Sequence, residues 1–342
     1  MKIADKIRKF TPYHTIEGNY TIWLDKNENP FDIPPPLKKK LFEKLTKVPL
    51  NRYGSLNNTA LREKLATFWN TRGNFSELDE KNIVVGAGSD ELLSLLIPLF
   101  QGDYVVISSP AFSMYRFFAD LYEIPVVDVP LDEEFQLQNV AEFAENAKAI
   151  FICSPHNPTG VVQDWKTIKQ VLDTGVPVIL DEAYGGFSKH SHIHRINEYD
   201  NLIVLRTFSK AFGLAGIRVG YAVTTKEITK HLLRIQAPYT ISVLSSKIAE
   251  FMLDHYEIVN KRLDYIIKER ERIRKEFNEY AFPSNANFLL VNLDAHDFLL
   301  NKGIVVKNLK GRLAGMIRIT IGKKEENDKL IDALQEFIRE KR

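Results

Sequence analysis

The sequence is short of sulfur and lacks any long apolar stretch. Its 342 residues include one cysteine, Cys153, which excludes an internal disulfide and fits a reducing compartment. No apolar run is long enough to span a membrane. The N-terminal "MKIADKIRKFTPYH" alternates charged and apolar residues, unlike a secretory leader. A large excess of either charge is also missing. The 46 Lys and Arg nearly cancel the 44 Asp and Glu, leaving +2, so no strong field draws nucleic acid or an anionic membrane. Repeats, low-complexity tracts and flexible linkers are absent as well. The expectation is a cytoplasmic globular protein with neither nucleic acid nor membrane as partner.

What is present is 44% hydrophobic and 26% charged residues, enough for one large core and a second, smaller one. The middle of the chain alternates short apolar runs with amphipathic stretches. "NIVV" (82–85), "YVVI" (104–107), "PVVDV" (125–129), "AIFIC" (149–153), "PVIL" (177–180), "LIVL" (202–205) and "VGYAV" (219–223) read as buried strands, with helical patterns at 90–99 and 112–122. Strand and helix at this spacing predict an α/β fold with a mostly parallel sheet covered on both faces. Residues 243–279 read as helix broken near 254. Strands at 287–293, 303–306 and 316–321 and a helix from Asp328 then suggest a smaller α/β unit. The boundaries that follow are an N-terminal arm over 1–28, a large domain over 29–238 and a small domain over 239–342.

In open parallel sheets, ligands bind beyond the carboxyl ends of the strands. Those ends here carry "GAGSDELL", "SSPAFSMY", "SPHNPTG", "DEAYGGF" and "RTFSKAF". "GAGSDELL" opens a helix with amides at Gly88, Ser89 and Asp90, which form either an anion site or an ordinary N-cap. Ser209 and Arg218 would add a hydroxyl and a guanidinium fork to the same anion. Asn157 sits in a proline-stiffened turn. Asp181 directly follows four apolar residues, where an unpaired carboxylate is costly to bury. It pairs with a cation, protonates a ring nitrogen or caps the next helix. Lys210 is either a solvated charge, as most lysines are, or an amine of lowered pKa that forms a Schiff base with a carbonyl. An aldehyde cofactor with a phosphate and a ring nitrogen would engage all these groups, and pyridoxal 5′-phosphate is that cofactor.

Nearly the whole chain, from "FTPYH" through "LDKNENPF", "NRYG", "GSDEL", "SPHNPTG", "DEAY" and "TFSKAFGLAGIRVGY" to "IRITIG", resembles the fold-type I, pyridoxal-phosphate-dependent aminotransferases of class II. Within them it is most similar to the histidinol-phosphate aminotransferase family. The resemblance implies the type I fold and a homodimer. It implies transamination of L-histidinol phosphate with 2-oxoglutarate, giving imidazole acetol phosphate and glutamate in histidine biosynthesis. Lys210 would hold the cofactor and shuttle a proton, and Asp181 would keep the pyridine nitrogen protonated. Asn157 and Tyr184 would bind the ring's 3′-oxygen, and Phe112 would stack on the ring. The phosphate would rest on Ser89, Asp90, Thr207, Ser209 and Arg218, with Tyr53 reaching it from the partner subunit. Arg318 would clamp the substrate carboxylate, while Tyr13, Asn29 and Lys307 would meet the rest of the substrate.

The chain departs from the family pattern at Lys307, where an arginine is usual. Lysine keeps the charge but loses the bidentate geometry, for which Lys310 and Arg312 in the following loop would compensate. This leaves open an aromatic amino acid aminotransferase or a phospho-amino-acid decarboxylase of the same fold. A non-catalytic cofactor-binding regulator is opposed by the filled chemical positions and by the lack of an appended helix-turn-helix segment. A dinucleotide site is opposed because "GAGSDE" lacks the fingerprint's third glycine. "HSHIH" (190–194) has alternate histidines but no further ligand at useful spacing, and reads as an exposed loop. Cys153 and Trp23 read as packing residues.

Overall fold

The computed structural model describes residues 1–12, 14–73, 77–188 and 190–341. In chain order the strands are β1 (Ile22–Leu24), β2 (Ile83–Gly86), β3 (Tyr104–Ile107), β4 (Val126–Asp128), β5 (Ala147–Cys153), β6 (Val178–Asp181), β7 (Leu202–Thr207), β8 (Gly220–Val223), β9 (Phe288–Val291), β10 (Ile304–Asn308) and β11 (Ile317–Thr320). The α-helices are α1 (Pro35–Leu45), α2 (Thr59–Gly73), α3 (Ser89–Leu99), α4 (Ser113–Leu121), α5 (Trp165–Leu172), α6 (Lys226–Ile235), α7 (Val243–Leu253), α8 (Tyr256–Glu276), α9 (His296–Asn301) and α10 (Lys324–Lys341).

The large sheet has seven strands in the order β2-β8-β7-β6-β5-β3-β4. β8 runs antiparallel to β2 and β7, and the remaining pairs are parallel. Because side chains alternate across a strand, the sheet sorts its apolar residues onto two faces. Val84, Val105, Phe151, Ile179, Ile203 and Leu205 pack with Leu92, Leu93 and Leu96 of α3. Ile83, Val106, Ile150, Leu180, Leu202 and Val204 pack on the other side, in a core that continues into the C-terminal elements. Both faces are dry, so these strands read as continuous apolar runs rather than alternating ones. The predicted break near 254 is the junction of α7 and α8.

The second sheet has four strands in the order β1-β10-β11-β9. β1 lies within the segment expected to be an arm. Ile22, Trp23 and Leu24 pair in parallel with Ile304, Val305 and Val306. Ile22 and Leu24 are buried on either side of half-buried Trp23. A three-residue alternation is too short to stand out in sequence, and only its distant partner makes it a strand. Consequently the turn after β1, residues 25–28, is fixed between the two sheets.

"HSHIH" is not uniformly an exposed loop. His190 is exposed, but His192 is buried, with Nδ1 3.0 Å from Glu182 Oε1 and its ring stacked 4.8 Å from Trp165. Glu182, next to Asp181 in the chain, holds it there. Among the described residues, no group of His, Cys, Asp and Glu is arranged to hold a metal ion, and no helix is long and apolar enough to cross a membrane.

Candidate active site

A cavity of about 830 Å³ opens where the carboxyl ends of β5, β6 and β7 meet the small sheet. At one end it is an anion cradle. Gly88, at φ 83°, precedes α3 and leaves the first-turn N–H groups of Ser89 and Asp90 facing the cavity. Arg218, itself left-handed at φ 50°, reaches over it. Its Nη1 donates to Ser209 Oγ at 3.3 Å and its Nη2 to Asp90 Oδ2 at 3.2 Å. A Cβ on Gly88 would lie 2.6 Å from Arg218 Nη2, so the guanidinium can approach only a glycine. Thr207 Oγ1 accepts from the Ser209 N–H at 3.1 Å, which folds the end of β7 around the same spot.

Deeper in the cavity is Asp181, the last residue of β6. Its Oδ2 accepts the Tyr115 hydroxyl at 2.7 Å and its Oδ1 the Ala183 N–H at 2.9 Å. Burial raises its pKa, as expected for a carboxylate with little water around it. Among the described residues no cation pairs with it. Lys210 stands opposite, its Nζ donating to the Lys26 carbonyl at 2.9 Å. Burial, and then the charge of Arg318, pull its pKa from 10.5 to about 8. The unprotonated amine is still the minority form near neutral pH but far more abundant than in an ordinary lysine, and it is the form that acts as a nucleophile.

The wall nearest the small sheet is polar. Arg318, in β11, donates from Nη1 to Asn157 Oδ1 at 2.6 Å and from Nη2 to the Asp25 carbonyl at 2.6 Å. Asn157 is held in turn by its loop. His156 Nδ1 lies 2.9 Å from Thr159 Oγ1, and burial pulls this imidazole down to about 4, so it is neutral at physiological pH. Gly160, at φ 82°, brings the loop against Ser284, where a Cβ would clash. Tyr184 accepts from Asn27 Nδ2 at 2.8 Å, and burial raises its hydroxyl to about 12. Lys307, on β10 beside Arg318 in register, is half-buried, and burial lowers its pKa.

Asn29 and Tyr53 do not line the cavity, Tyr13 lies outside the described residues, and every other expected site residue does line it. Asn29 is a turn residue instead. Its Nδ2 donates to the Ala211 carbonyl at 3.3 Å and its Oδ1 accepts the Phe31 N–H at 3.0 Å. Tyr53 is 81% exposed and stacks on Tyr239 at 4.4 Å. Of the two cations offered to compensate for Lys307, Lys310 lines the cavity, whereas Arg312 is spent on the carbonyls of Leu131 and Asp132.

Sequence reasoning missed Asn27, Lys26, Tyr115 and the arm residues 14–16, all close to or lining the site. For Asn27 the visible signal was the "KNENP" cluster, since asparagine tolerates left-handed backbone. Nothing local said which asparagine would face inward.

The sequence model of the family described as aminotransferase class I and II matches residues 20–334. The histidinol-phosphate aminotransferase of Pyrococcus furiosus is 54% identical over 340 residues, covering 99% of this chain and 98% of the relative. That of Thermococcus kodakarensis is 47% identical over 337 residues, covering 98% of each. Among solved structures, the histidinol-phosphate aminotransferase from Clostridium acetobutylicum superimposes with a TM-score of 0.83 at 26% identity, covering 93% of this chain and 99% of that one.

Proposed function

The chain belongs to the class I and II aminotransferases, and from that premise we propose that it transfers the amino group of L-histidinol phosphate to 2-oxoglutarate, using pyridoxal 5′-phosphate bound in the cavity. The observation that carries this reading is the meeting in one cavity of the anion cradle, buried Asp181, Lys210 and Arg318. The names borne by relatives 54% and 47% identical to it support the substrate.

The residues fit the cofactor. Asp181 is a buried carboxylate with a raised pKa and, among the described residues, no cation paired with it, as suits a partner for a protonated ring nitrogen. The helix start with Ser209 and Arg218 offers amide, hydroxyl and guanidinium donors to a phosphate. Phe112 lines the same cavity and supplies a face for the ring. Bound there, pyridoxal phosphate supplies the electron sink that lets a proton leave the carbon bearing the amino group.

The rest is done by the chain. Lys210, whose hold on a proton burial weakens, would take the proton from that carbon and return it one position away. Asp181 keeps its partner nitrogen charged. Asn157 commits its carbonyl oxygen to Arg318, which leaves its amide hydrogens for a ring oxygen. Arg318 presents its guanidinium charge to the cavity, where a substrate carboxylate or phosphate would meet it. Lys307 and Lys310 add positive charge at the same mouth for a substrate that carries a phosphate in one half-reaction and a second carboxylate in the other.

The homodimer belongs to this reading. Tyr53, exposed like its chain neighbours Leu50 and Leu56 and not part of its own cavity's lining, suits a residue delivered to a partner's cofactor phosphate. The cytoplasmic setting fits the reduced, buried Cys153. The test is the visible absorption of the purified protein before and after histidinol phosphate is added. A band that shifts on addition supports cofactor and substrate together. A band that responds to glutamate or phenylalanine but ignores histidinol phosphate overturns the substrate, and no band after loading with pyridoxal phosphate overturns the whole reading.

A further inference from the structure

Asn27 is almost wholly buried, at 1% exposure, in left-handed backbone at φ 54°. Its contacts determine which way its amide faces. The Asn27 N–H donates to Thr320 Oγ1 at 2.9 Å. That hydroxyl must then send its own proton elsewhere, and it donates to Asn27 Oδ1 at 3.2 Å. The carbonyl end of the side chain is thereby assigned to Thr320, and the NH₂ end to Tyr184 Oη at 2.8 Å. The backbone carbonyl of Asn27 accepts Asn287 Nδ2 at 3.0 Å, so main chain and side chain are both held.

A phenol has one proton to give and can accept from outside. Tyr184 receives a hydrogen bond from Asn27, a group with nothing to accept in return at that nitrogen. Among the described residues Tyr184 donates its own proton to no acceptor, and the tyrosine lines the cavity. We infer that Asn27 is a positioning residue, which fixes the Tyr184 hydroxyl as a hydrogen-bond donor aimed into the cavity at the ring oxygen of the bound cofactor. The inference rests on the proposed cofactor reading. It gives the conformational cost of a buried left-handed residue a purpose: only a side chain that accepts from Thr320 and donates to Tyr184 sets the direction of that proton.

The consequence is electrostatic. A donor to an anionic ring oxygen withdraws charge from it, which weakens its hold on a proton carried by the neighbouring Lys210 nitrogen. Removing or reversing the donor therefore raises the pH at which the holoenzyme's visible band changes. Asn27→Gly deletes the side chain yet keeps left-handed backbone accessible. Asn27→Asp keeps the shape but offers an acceptor, drawing the Tyr184 proton away from the cavity.

The experiment is a pH titration of the visible band of the holoenzyme, with Asn27→Gly and Asn27→Asp made in the wild-type and Tyr184→Phe backgrounds. The expected result is a midpoint raised by about one unit, a tenfold change in proton affinity, in both variants, and by a similar amount in Tyr184→Phe. Asn27→Gly should add nothing once Tyr184 is phenylalanine, as coupled groups require. An unmoved midpoint in Asn27→Gly overturns the inference, and so does an equal shift in both backgrounds, which would mean that Asn27 acts by another route. Failure to develop any band with pyridoxal phosphate would instead overturn the cofactor reading on which the inference stands. Should Asn27→Asp fail to fold, Asn27→Gly alone decides.

Discussion

Arg206 Nη2 lies 2.7 Å from Glu182 Oε2, with the carboxylate wholly buried. The pair sits directly behind the site. Asp181 and Thr207, their chain neighbours, face the cavity, while Arg206 lies over the Trp69 ring at 4.9 Å on the other side of the sheet. Burial alone would raise the Glu182 pKa, but Arg206 and His192 hold it below the usual range. The pair thus ties the ends of β6 and β7 together, and with them the carboxylate and the amine of the site. Removing one partner leaves a buried charge uncompensated, so Arg206→Ala is expected to cost roughly 3–5 kcal/mol of stability. Urea unfolding checks this; a loss below about 1 kcal/mol would mean that water reaches Glu182.

Lys210→Ala is expected to abolish turnover while leaving the fold in place, because the side chain lines a cavity rather than filling a core. Borohydride treatment of the loaded wild-type protein should leave a stable adduct on Lys210, and the variant should show none at that position. Retention of most activity by the variant would refute the assigned role.

The Lys210 pKa of about 8 makes folding pH-dependent with a definite sign. An amine that falls from 10.5 to about 8 on folding is more reluctant to carry a proton in the folded chain than in the unfolded one. Across that window the unfolded state binds more protons, so stability rises with pH. Lys210→Met has no such group. In cofactor-free protein its advantage over wild type should be full below pH 8 and shrink as the pH climbs toward 10.5. A gap that stays constant over the window would show that the amine keeps an ordinary pKa.

Arg318→Ala should raise the KM for glutamate by roughly one to two orders of magnitude, matching the loss of a charge-assisted hydrogen bond worth about 1.5–3 kcal/mol. Because Arg318 also holds Asn157 at 2.6 Å, kcat should fall with it. Steady-state rates over a range of glutamate check both, and an unchanged KM would remove Arg318 as the carboxylate clamp.

Lys307 should distinguish the two substrates. Lys307→Ala is expected to raise the KM for histidinol phosphate severalfold and to weaken its dependence on salt, since a half-buried cation is lost from the cavity mouth. Equal rates with histidinol phosphate in variant and wild type would assign the phosphate to Lys310 or Arg318 instead.

The sequence by itself determined the parallel sheet, the site's place at its strand ends and most of the chemical groups there. The physical reason is that these are local signals. A strand buried on both faces must be apolar along its length, as β7 is, and the turns that follow need glycine, proline and small polar residues whatever lies elsewhere. Asp181 could be found because it ends such a run with a group that is costly to bury without a purpose, whereas Lys210 and Asn157 stand in the loops beyond the strand ends and take their roles from the family resemblance.

Tertiary structure alone decided the partners. β1 became a strand only through its register with β10. His192 left the surface because Glu182 needed donors. Within "KNENP", Lys26, Asn27 and Glu28 line the cavity and Asn29 does not; Thr320 and Tyr184, distant in the chain, assigned the two ends of the Asn27 amide. Arg312, offered only to compensate for Lys307, is instead drawn off by two carbonyls of a neighbouring loop. Hydrogen bonds are directional and short-ranged, so the choice among equivalent side chains waits until packing has set which donors and acceptors meet. Hydrophobic periodicity, being non-directional, needs no such partner and is legible first.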